Sequence, residues 1–363
     1  MRIATVVGAR PQFIKMAPVS RELRRYFDEV VIHTGQHYDY EMNKIFFEQL
    51  NIPEPDYYLG VGSGSHGYQT GEMLKRIEEV LMKEKPDLVL VYGDTNSTLA
   101  GALAAVKLHI KVAHVEAGLR SFDKRMPEEV NRVLTDHVSD YLFAPTETAV
   151  RNLRNEGITE GVYLTGDVMY DALLHNIEVA RKNSDIIERL NLKPKGYLLA
   201  TVHRAENTDS RENLESIVDA FIESNELIVF PVHPRTKKYL NGYGLIEKLE
   251  KAGNVLLIPP VGYLDMLVLE ENAKKILTDS GGVQKEAYFL KVPCITLRER
   301  TEWVETVEDG WNVLVGADKF KILDAIENFE PSNETYSYRF GDGRASERIA
   351  GILCYNEIRR CCF

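Results

Sequence analysis

The regular alternation of short apolar segments, rich in β-branched residues, with amphipathic segments of helical periodicity constrains this fold most. Apolar strands joined by helical crossovers are typical of parallel sheets whose two faces are covered by helices. The sequence therefore predicts an α/β fold with two successive series of strands. The first series comprises residues 3–7, 30–34, 88–92, 112–116, 142–144 and 162–165, and the second comprises residues 198–201, 227–231, 255–258, 275–278, 294–297 and 313–315.

Two series of strands predict two doubly wound, Rossmann-like domains, and a length of 363 residues agrees with that number. We place the first domain at residues 1–168 and the second at residues 169–343. A last helical segment, residues 344–363, follows a glycine-containing turn and could cap the second domain or return to the first. Open α/β sheets bind ligands beyond the carboxyl ends of their strands. Two such sheets that face each other would form a ligand-binding cleft.

Charge and composition exclude several classes of protein. The net charge of −11 argues against nucleic acid as a partner. Because the protein as a whole is acidic, any anionic ligand must be bound by a local cluster of basic residues. The longest apolar runs are far shorter than the roughly 20 residues of a membrane span, so we expect no membrane association. Four cysteines in a chain of this length do not form a disulfide framework. We interpret them as reduced thiols in a cytoplasmic protein.

Charged residues follow the strands of the first series. Arg10 and Lys15 flank a predicted helix start after the first strand, where an anion would be favoured, although they could also be a solvated basic pair. Asp94 and Glu116 come at the ends of two further strands, and Glu128 begins a helix. Because these positions fall on the same edge of one sheet, we interpret the three carboxylates as a candidate acid–base group.

Each of these carboxylates also has a structural explanation. Asp94 could be the N-cap of the helix that follows it. Glu128 could complement the dipole of its own helix. It could also form a surface pair with Arg132, four residues later.

The second series carries a histidine and a glycine pair at its strand ends. His203 and Arg204 follow one strand, and a lone histidine there is as often structural as catalytic. Ser280, Gly281 and Gly282 stand between a strand and a helix, where bare N–H groups at a helix N-terminus suit a phosphate. The glycines could instead form a tight turn that requires positive φ. Glu286 on the same helix could reach a ribose hydroxyl.

Several cofactor signatures are absent from the sequence. There is no phosphate-binding loop that ends in Gly-Lys-Ser/Thr. The G-x-G-x-x-G pattern at residues 62–67 follows only a short strand candidate at residues 57–59, so we interpret it as a loop and not as a dinucleotide site. The histidines and cysteines do not show zinc-ligand spacing. We therefore expect neither a cofactor nor a metal.

Taken together, these motifs resemble those of the non-hydrolysing UDP-N-acetylglucosamine 2-epimerases, keep the order found in that family and cover essentially the whole chain. The resembling motifs are Gly8-x-Arg10-Pro11-x-x-x-Lys15-Met16-Ala17-Pro18, Gly93-Asp94-Thr95, His114-Val115-Glu116-Ala117-Gly118-Leu119-Arg120, Pro127-Glu128-Glu129-x-Asn131-Arg132, Pro145-Thr146-Glu147, His203-Arg204 and Thr278-Asp279-Ser280-Gly281-Gly282-x-Gln284-x-Glu286.

The resemblance implies two Rossmann-like domains in the arrangement of the GT-B glycosyltransferases, with UDP in the cleft. It also implies a C-terminal helix that crosses back to the first domain, and a homodimer. The catalytic positions of the family match Asp94, Glu116, Glu128 and His203. The substrate-binding positions match Arg10, Lys15, Arg132, Arg204, Ser280, Gly281, Gly282 and Glu286.

The activity implied by the resemblance is interconversion of UDP-GlcNAc and UDP-ManNAc through elimination of UDP to 2-acetamidoglucal, without a redox cofactor or metal. The sequence does not assign the carboxylate that removes the C2 proton. Relatives with a pattern like residues 36–39 include enzymes of diacetamido-uronic acid nucleotides, which gives a second candidate substrate. The motifs are also compatible with a hydrolysing epimerase, a GT-B glycosyltransferase or a non-catalytic UDP-sugar sensor. Residues 302–304, Glu-Trp-Val, depart from the Glu-Arg-Pro of the bacterial branch.

Overall fold

Two parallel β-sheets, one in each part of the chain, organise the fold. A computed structural model describes residues 1–36, 52, 54–331 and 336–361, and of Arg10 and residues 358–361 it describes only the backbone. The chain divides into two units, the first made of Met1–Leu174 with Tyr338–Phe363 and the second of His175–Ser337. Both sheets are parallel throughout, so the predicted α/β fold with two doubly wound sheets is confirmed.

The sheet of the first unit has seven strands in the order β3-β2-β1-β4-β5-β6-β7. Its strands are β1 Arg2–Val7, β2 Asp28–His33, β3 Tyr57–Tyr58, β4 Leu88–Tyr92, β5 Lys111–Val115, β6 Tyr141–Ala144 and β7 Val162–Leu164. The predicted series of six strands omitted β3, which the sequence indicated only as a short strand candidate at residues 57–59 and which pairs with the end of β2.

Helices cover both faces of this sheet. They are α1 Arg10–Leu23, α2 His66–Glu84, α3 Asn96–Lys107, α4 Pro127–Val138, α5 Glu147–Asn155 and α6 Val168–Asn183, the last of which runs into the second unit. Proline in the first turn of α1 and of α4 suits a position whose N–H has no intrahelical partner. The loop expected at residues 62–67 is shorter than predicted, since α2 begins at His66.

The second unit has a six-stranded sheet in the order β10-β9-β8-β11-β12-β13. Its strands are β8 Leu198–Thr201, β9 Ile228–Pro231, β10 Val255–Ile258, β11 Lys275–Thr278, β12 Cys294–Thr296 and β13 Asn312–Leu314. Its helices are α7 Ile186–Arg189, α8 Ala205–Thr208, α9 Arg211–Glu223, α10 Pro234–Gly242, α11 Ile246–Lys251, α12 Tyr263–Asn272, α13 Gly281–Phe289, α14 Val304–Glu308 and α15 Lys319–Asn328.

Each sheet has one topological switch point. In the first sheet the chain moves outward from β1 to β3 and then returns to place β4 on the other side of β1. In the second sheet the same reversal occurs between β8 and β11, which are neighbouring strands. Ligand sites of open α/β sheets form outside the carboxyl ends of the strands at such points. A ligand site is therefore expected at the residues that follow β1 and β4 in the first sheet, and at those that follow β8 and β11 in the second.

The C-terminal segment returns to the first unit as helix α16, Ala345–Cys361, which packs on α1. Asp171 caps its N-terminus, since its carboxylate accepts the N–H groups of Ala345 at 3.0 Å and Ser346 at 2.7 Å. The N–H of Asp167 donates to the Phe340 carbonyl at 2.9 Å. Because of these contacts the first unit extends to Leu174 and resumes at Tyr338, whereas the sequence predicted boundaries at residues 168 and 343.

Two of the four cysteines are described with their side chains. Cys294 and Cys354 are free, and burial raises the pKa of the Cys294 thiol to about 12. For Cys361 only the backbone is described, and Cys362 lies outside the described residues. Within the described ranges, no helix combines the length and the apolar character needed to cross a membrane. In the same part of the chain, no group of three or more His, Cys, Asp or Glu side chains is placed to hold a metal ion.

Candidate functional site

The glycine after β4 leaves room for a buried ion pair. Gly93 has a φ of +63°, and a Cβ atom there would lie 3.2 Å from both Lys15 Nζ and Glu116 Oε2. Lys15 Nζ donates a hydrogen bond to Glu116 Oε2, and the two side chains are only 10% and 5% exposed. The cation predicted after β1 and the carboxylate predicted after β5 thus meet beside the switch point of the first sheet.

Asp94 pairs with an arginine of helix α4. Its carboxylate accepts a hydrogen bond from Arg132 Nη2 at 2.5 Å and keeps 30% of its surface exposed. Its backbone carbonyl accepts a hydrogen bond from Asn131 Nδ2 at 2.9 Å. The N-cap of α3 is Thr95, whose hydroxyl accepts from the N–H of Thr98. The interpretation of Asp94 as the N-cap is therefore wrong.

The two glutamates that begin α4 have different environments. Glu129 is buried, and its carboxylate accepts the N–H of Ser121 at 2.8 Å and the hydroxyl of the same residue at 2.9 Å. Glu128 is half-buried in the first turn, where negative charge is favourable. Arg132 is buried and directed to Asp94 and Glu129. The interpretation of Glu128 and Arg132 as a surface pair is therefore wrong.

Glu116 has an unusual backbone for a residue with a side chain. Its φ is +75°, in the left-handed region that costs most L-residues of the order of 1–2 kcal/mol. The N–H groups of Glu116 and Ala117 both donate to the Phe143 carbonyl at 3.1 Å. This turn explains why β5 ends at Val115, one residue earlier than predicted, and it aims the Glu116 carboxylate towards Lys15.

A buried glutamine joins the ends of β1 and β4. Gln12 Oε1 accepts the N–H groups of Gly8 at 2.8 Å and Ala9 at 3.1 Å, and Gln12 Nε2 donates to the Tyr92 carbonyl at 2.9 Å. This bridge sets the start of α1 relative to β4. The side chain of Arg10 is outside the described residues, and so are residues 37–39 of the 36–39 pattern on which the second candidate substrate rested.

In the second unit, Asp279 connects the ends of β8 and β11. Its carboxylate accepts the N–H groups of His203 at 3.0 Å and Arg204 at 2.9 Å. It also accepts Asn207 Nδ2 at 3.1 Å. Asp279 is completely buried. The predicted residues His203 and Arg204 are therefore held at the switch point of this sheet.

The imidazole of His203 is partly accessible, with 35% of its side chain exposed. Burial lowers the pKa of His203 below its ordinary value, Asp279 opposes this shift, and the positive charge of Arg204 adds to it. The ring of His233 lies 5.5 Å away, centroid to centroid. A neutral imidazole at pH 7 carries one ring nitrogen that can donate a hydrogen bond and one that can accept a proton.

The N-terminus of α13 has the features of a phosphate site. Ser280 is the N-cap, and its hydroxyl accepts from the N–H of Val283. Gly281 and Gly282 form the first turn, in which N–H groups have no carbonyl partner within the helix. Neither glycine has a positive φ, so the interpretation as a tight turn is wrong. These N–H groups and the positive end of the helix dipole favour an anion.

Close neighbours leave little room for a side chain at the start of α13. A Cβ atom on Gly281 would lie 3.3 Å from Trp303 Nε1 and 3.8 Å from Glu302 Oε2. Lys285 Nζ lies 3.9 Å from the centroid of the Trp303 ring, and Arg298 Nη1 donates to Glu302 at 3.2 Å. The tryptophan that departs from the bacterial pattern is thus part of this site.

Further along α13, Glu286 is buried and lies one turn after Gly282 on the same helix face. Gln284 is completely buried, and its Oε1 accepts from the Thr301 hydroxyl at 2.6 Å and from Asn312 Nδ2 at 3.3 Å. These bonds fix the helix to the loop that carries Trp303.

Sequence reasoning missed the residues that hold the site together. Gln12, Asn131 and Asp279 lie inside or beside the motifs of the family but were assigned no role from the sequence. Each is a polar residue beside an apolar strand or on a buried helix face, and buried polar groups need partners. The sequence could therefore have predicted that these three side chains are hydrogen-bonded. It could not identify their partners, because the partners depend on the order of the strands in the sheet.

The arrangement can support proton transfer and the departure of an anionic leaving group. The first unit combines two carboxylates, Asp94 and Glu116, with cationic partners at one strand edge. The second combines an accessible imidazole with a helix N-terminus suited to phosphate. General acid–base groups and preorganised anion stabilisation are the two components that such a reaction needs.

Comparison with known proteins places these features in one family. Residues 21–354 match the family model described as UDP-N-acetylglucosamine 2-epimerase. A Methanococcus maripaludis protein named UDP-N-acetylglucosamine 2-epimerase homolog is 68% identical over 97% of this chain and 99% of its own. The UDP-2,3-diacetamido-2,3-dideoxy-D-glucuronate 2-epimerase of Pseudomonas aeruginosa is 50% identical over 97% of this chain and 99% of its own.

A solved structure extends the comparison to the fold. The crystal structure of Methanocaldococcus jannaschii UDP-GlcNAc 2-epimerase, in complex with UDP-GlcNAc and UDP, is 53% identical with a TM-score of 0.91. It covers 98% of this chain and 100% of its own. The carboxylates and the phosphate-type helix N-terminus lie at the switch points of the two sheets, and the family model and the relatives match nearly the full length of the chain. This chain therefore belongs to the UDP-N-acetylglucosamine 2-epimerase family.

Proposed function

We propose that this protein interconverts UDP-GlcNAc and UDP-ManNAc, without net hydrolysis, by elimination and re-addition of UDP. The observation that carries the proposal is the convergence of Asp94 and Glu116, each with a cationic partner, around Gly93. The complex of the M. jannaschii enzyme with UDP-GlcNAc and UDP supports the choice of nucleotide sugar.

The proposed chemistry starts from the difficulty that the C2 proton of the sugar is not acidic. A carboxylate of the set Asp94, Glu116 and Glu128 removes this proton as the C1–O bond breaks. The electrons of the C–H bond form the C1–C2 double bond of 2-acetamidoglucal, and UDP leaves with the electron pair of the C1–O bond. Protonation of C2 from the opposite face and attack of UDP oxygen on C1 then give the epimer.

The remaining residues have proposed roles in binding. Gly281 and Gly282 donate N–H groups to the diphosphate, Ser280 caps that helix, and Glu286 accepts a ribose hydroxyl. The charge that develops on departing UDP is stabilised by the α13 N-terminus and by Arg204, with His203 as the acid–base group beside it. Arg10, Lys15 and Arg132 support the sugar and phosphates from the first unit. The chain's own groups supply acid, base and anion stabilisation, and the scheme uses neither a cofactor nor a metal.

The test is incubation with UDP-GlcNAc in D₂O, followed by proton NMR and mass spectrometry. We expect UDP-ManNAc to form, deuterium to enter C2, and an ¹⁸O label in the C1–O bond to exchange position. Retention of that label would contradict elimination. Free ManNAc would indicate a hydrolysing epimerase, sugar transfer to an acceptor would indicate a glycosyltransferase, and binding without turnover would indicate a sensor.

The diacetamido-uronic acid nucleotide remains the second candidate substrate because of the similarity to the P. aeruginosa enzyme. Parallel measurement of kcat/KM with both nucleotide sugars distinguishes the two. The cytoplasmic location and the homodimer stay predictions of the sequence.

A further inference from the structure

We propose that His114, held by Asp136, is a positioning residue that orients the Gly93–Asp94 peptide and thereby the Asp94 carboxylate. The proposal rests on the proposed function, because it treats Asp94 as part of the acid–base set. In this proposal His114 does not contact the substrate. It acts through the backbone of Gly93.

The ring of His114 lies completely buried between two acceptors. His114 is on β5, and its Nε2 is 2.7 Å from the carbonyl oxygen of Gly93. Its Nδ1 is 2.7 Å from Asp136 Oδ1 on α4. A carbonyl oxygen can only accept, so Nε2 carries a proton and donates it to Gly93. The ring therefore links α4 to the peptide that precedes Asp94.

Asp136 is itself anchored on its other oxygen. Asp136 Oδ2 accepts the N–H of Gly118 at 3.1 Å and Arg120 Nη1 at 2.7 Å. The guanidinium of Arg120 continues to Glu156 through Nε at 2.7 Å and Nη2 at 2.8 Å. Each hydrogen-bonding atom of the Asp136 carboxylate and the Arg120 guanidinium thus has a defined partner, which leaves His114 little freedom to rotate.

This network spans both sides of a candidate catalytic carboxylate. His114 and Gly118 lie two residues before and after Glu116, whose left-handed backbone must be held by its surroundings. At the same time His114 fixes the carbonyl of Gly93, the residue whose missing side chain admits the Lys15–Glu116 pair. One buried ring therefore fixes the backbone around Asp94 and Glu116 together.

Stability alone does not explain such a network. Burying an ion pair costs desolvation, and apolar residues of similar volume are often as stabilising or more so. In catalysis, by contrast, a displacement of about 1 Å can lower the rate about 100-fold. The imidazole of His114 donates an oriented hydrogen bond to the Gly93 carbonyl, and this contact suits the precise positioning that catalysis needs.

Two amide substitutions separate positioning from packing. His114→Gln places an amide nitrogen near the position of Nε2, so it keeps the donor to Gly93 and loses the contact to Asp136. His114→Asn places an amide group near the position of Nδ1, so it keeps the contact to Asp136 and loses the donor to Gly93. Each variant loses one buried hydrogen bond, and we expect His114→Gln to lose at least as much thermal stability as His114→Asn, because the partner it loses is a carboxylate.

We expect the two variants to differ in turnover. The kcat of His114→Asn should fall about 100-fold, whereas that of His114→Gln should stay within about tenfold of the unsubstituted enzyme. The KM and the UDP affinity should change less than about threefold in both, because the lost interaction orients a reacting group. Equal kcat values for the two variants, or an effect confined to KM, would overturn the proposal.

Glu29→Gln is the matched control. The Glu29 side chain is completely buried in the same sheet, where it accepts from the Thr5 hydroxyl at 2.7 Å and from Arg24 Nε at 2.8 Å. It lies near the amino end of β2, away from the carboxyl edge. We expect this variant to lose stability and keep kcat. A fall in kcat that matches that of His114→Asn would show that stability, not positioning, controls turnover.

The protonation state of the His114 ring can be measured on the unsubstituted enzyme, so this test does not depend on the folding of a variant. In ¹⁵N-labelled histidine NMR, the His114 ring should show a protonated Nε2 that exchanges slowly with water. An unprotonated Nε2 would overturn the proposal. Inactivity of the unsubstituted enzyme towards UDP-sugars would instead reject the proposed function, so the two failures are distinguishable.

Discussion

Gly93→Ala tests whether the space beside this residue serves the Lys15–Glu116 pair. The substitution adds one methyl group on a backbone with φ of +63°, 3.2 Å from both charged atoms of the pair. Real Cβ atoms seldom approach a neighbour so closely, so Lys15 and Glu116 must move by a few tenths of an ångström. The perturbation is small, local and directed at the candidate acid–base group.

Its magnitude has two parts. The left-handed backbone should cost about 1–2 kcal/mol of unfolding free energy when alanine replaces glycine. Displacement of the ion pair should lower kcat by about 10- to 100-fold, since catalytic geometry tolerates little movement. Gly157→Ala is a matched control, because Gly157 has φ of +83° and a Cβ atom there would meet nothing within 4 Å.

The assay combines urea unfolding with steady-state kinetics on UDP-GlcNAc. Both alanine variants should lose unfolding free energy through the left-handed backbone, the one at residue 93 somewhat more because of the close contact, and only that variant should lose turnover. The reasoning is refuted if Gly93→Ala keeps normal kcat while it loses stability. It is equally refuted if Gly157→Ala loses as much turnover, since the backbone strain would then explain the effect without the ion pair.

The site supports three more predictions. Glu116→Gln should retain UDP binding and lose about 10²–10⁴ in epimerisation rate, and near-normal turnover would remove Glu116 from the acid–base set. Gly282→Val should weaken UDP binding with the fold intact, which calorimetry and circular dichroism would check, and unchanged affinity would reject the phosphate site. Burial is the main cause that lowers the pKa of His203 in the folded protein. Below about pH 6.5 the unfolded chain therefore binds a proton at His203 that the folded chain does not bind. The free energy of unfolding should consequently decline as the pH falls. Urea midpoints at two pH values should show a smaller decline for His203→Asn, and an equal decline would contradict this assignment.

The sequence was sufficient to locate the strands and the edge of each sheet at which the site lies. Apolar periodicity shows where a strand ends, and parallel strands place those ends on one edge. It did not predict that Glu116 leaves the sheet, because the left-handed turn at this residue depends on the Phe143 carbonyl of the neighbouring strand. The sequence also offered Asp94 as the possible N-cap of α3, whereas the cap is Thr95, and residue type alone does not separate the two because aspartate and threonine both cap helices.

The connecting residues were beyond sequence reasoning for a different reason. Asp279 bonds the backbone of His203 only because β11 lies beside β8, and these two residues are 76 positions apart. Gln12 likewise bonds the Tyr92 carbonyl because β4 lies beside β1. Strand order is a property of the folded sheet, so a polar residue inside a motif predicts burial and partners without identifying them.

Helix α4 shows how one element coordinates the first part of the site. A helix of a soluble protein ordinarily turns an apolar stripe inward, but α4 buries Asn131, Arg132 and Asp136. Asn131 binds the carbonyl of Asp94, Arg132 binds the carboxylate of Asp94, and Asp136 reaches the carbonyl of Gly93 through His114. A shift of α4 along its axis would therefore move all three contacts in the same direction. Burial of these polar groups lowers the contribution of α4 to stability. The same groups hold the Gly93–Asp94 turn at the side chain of Asp94, at its carbonyl and at the preceding peptide.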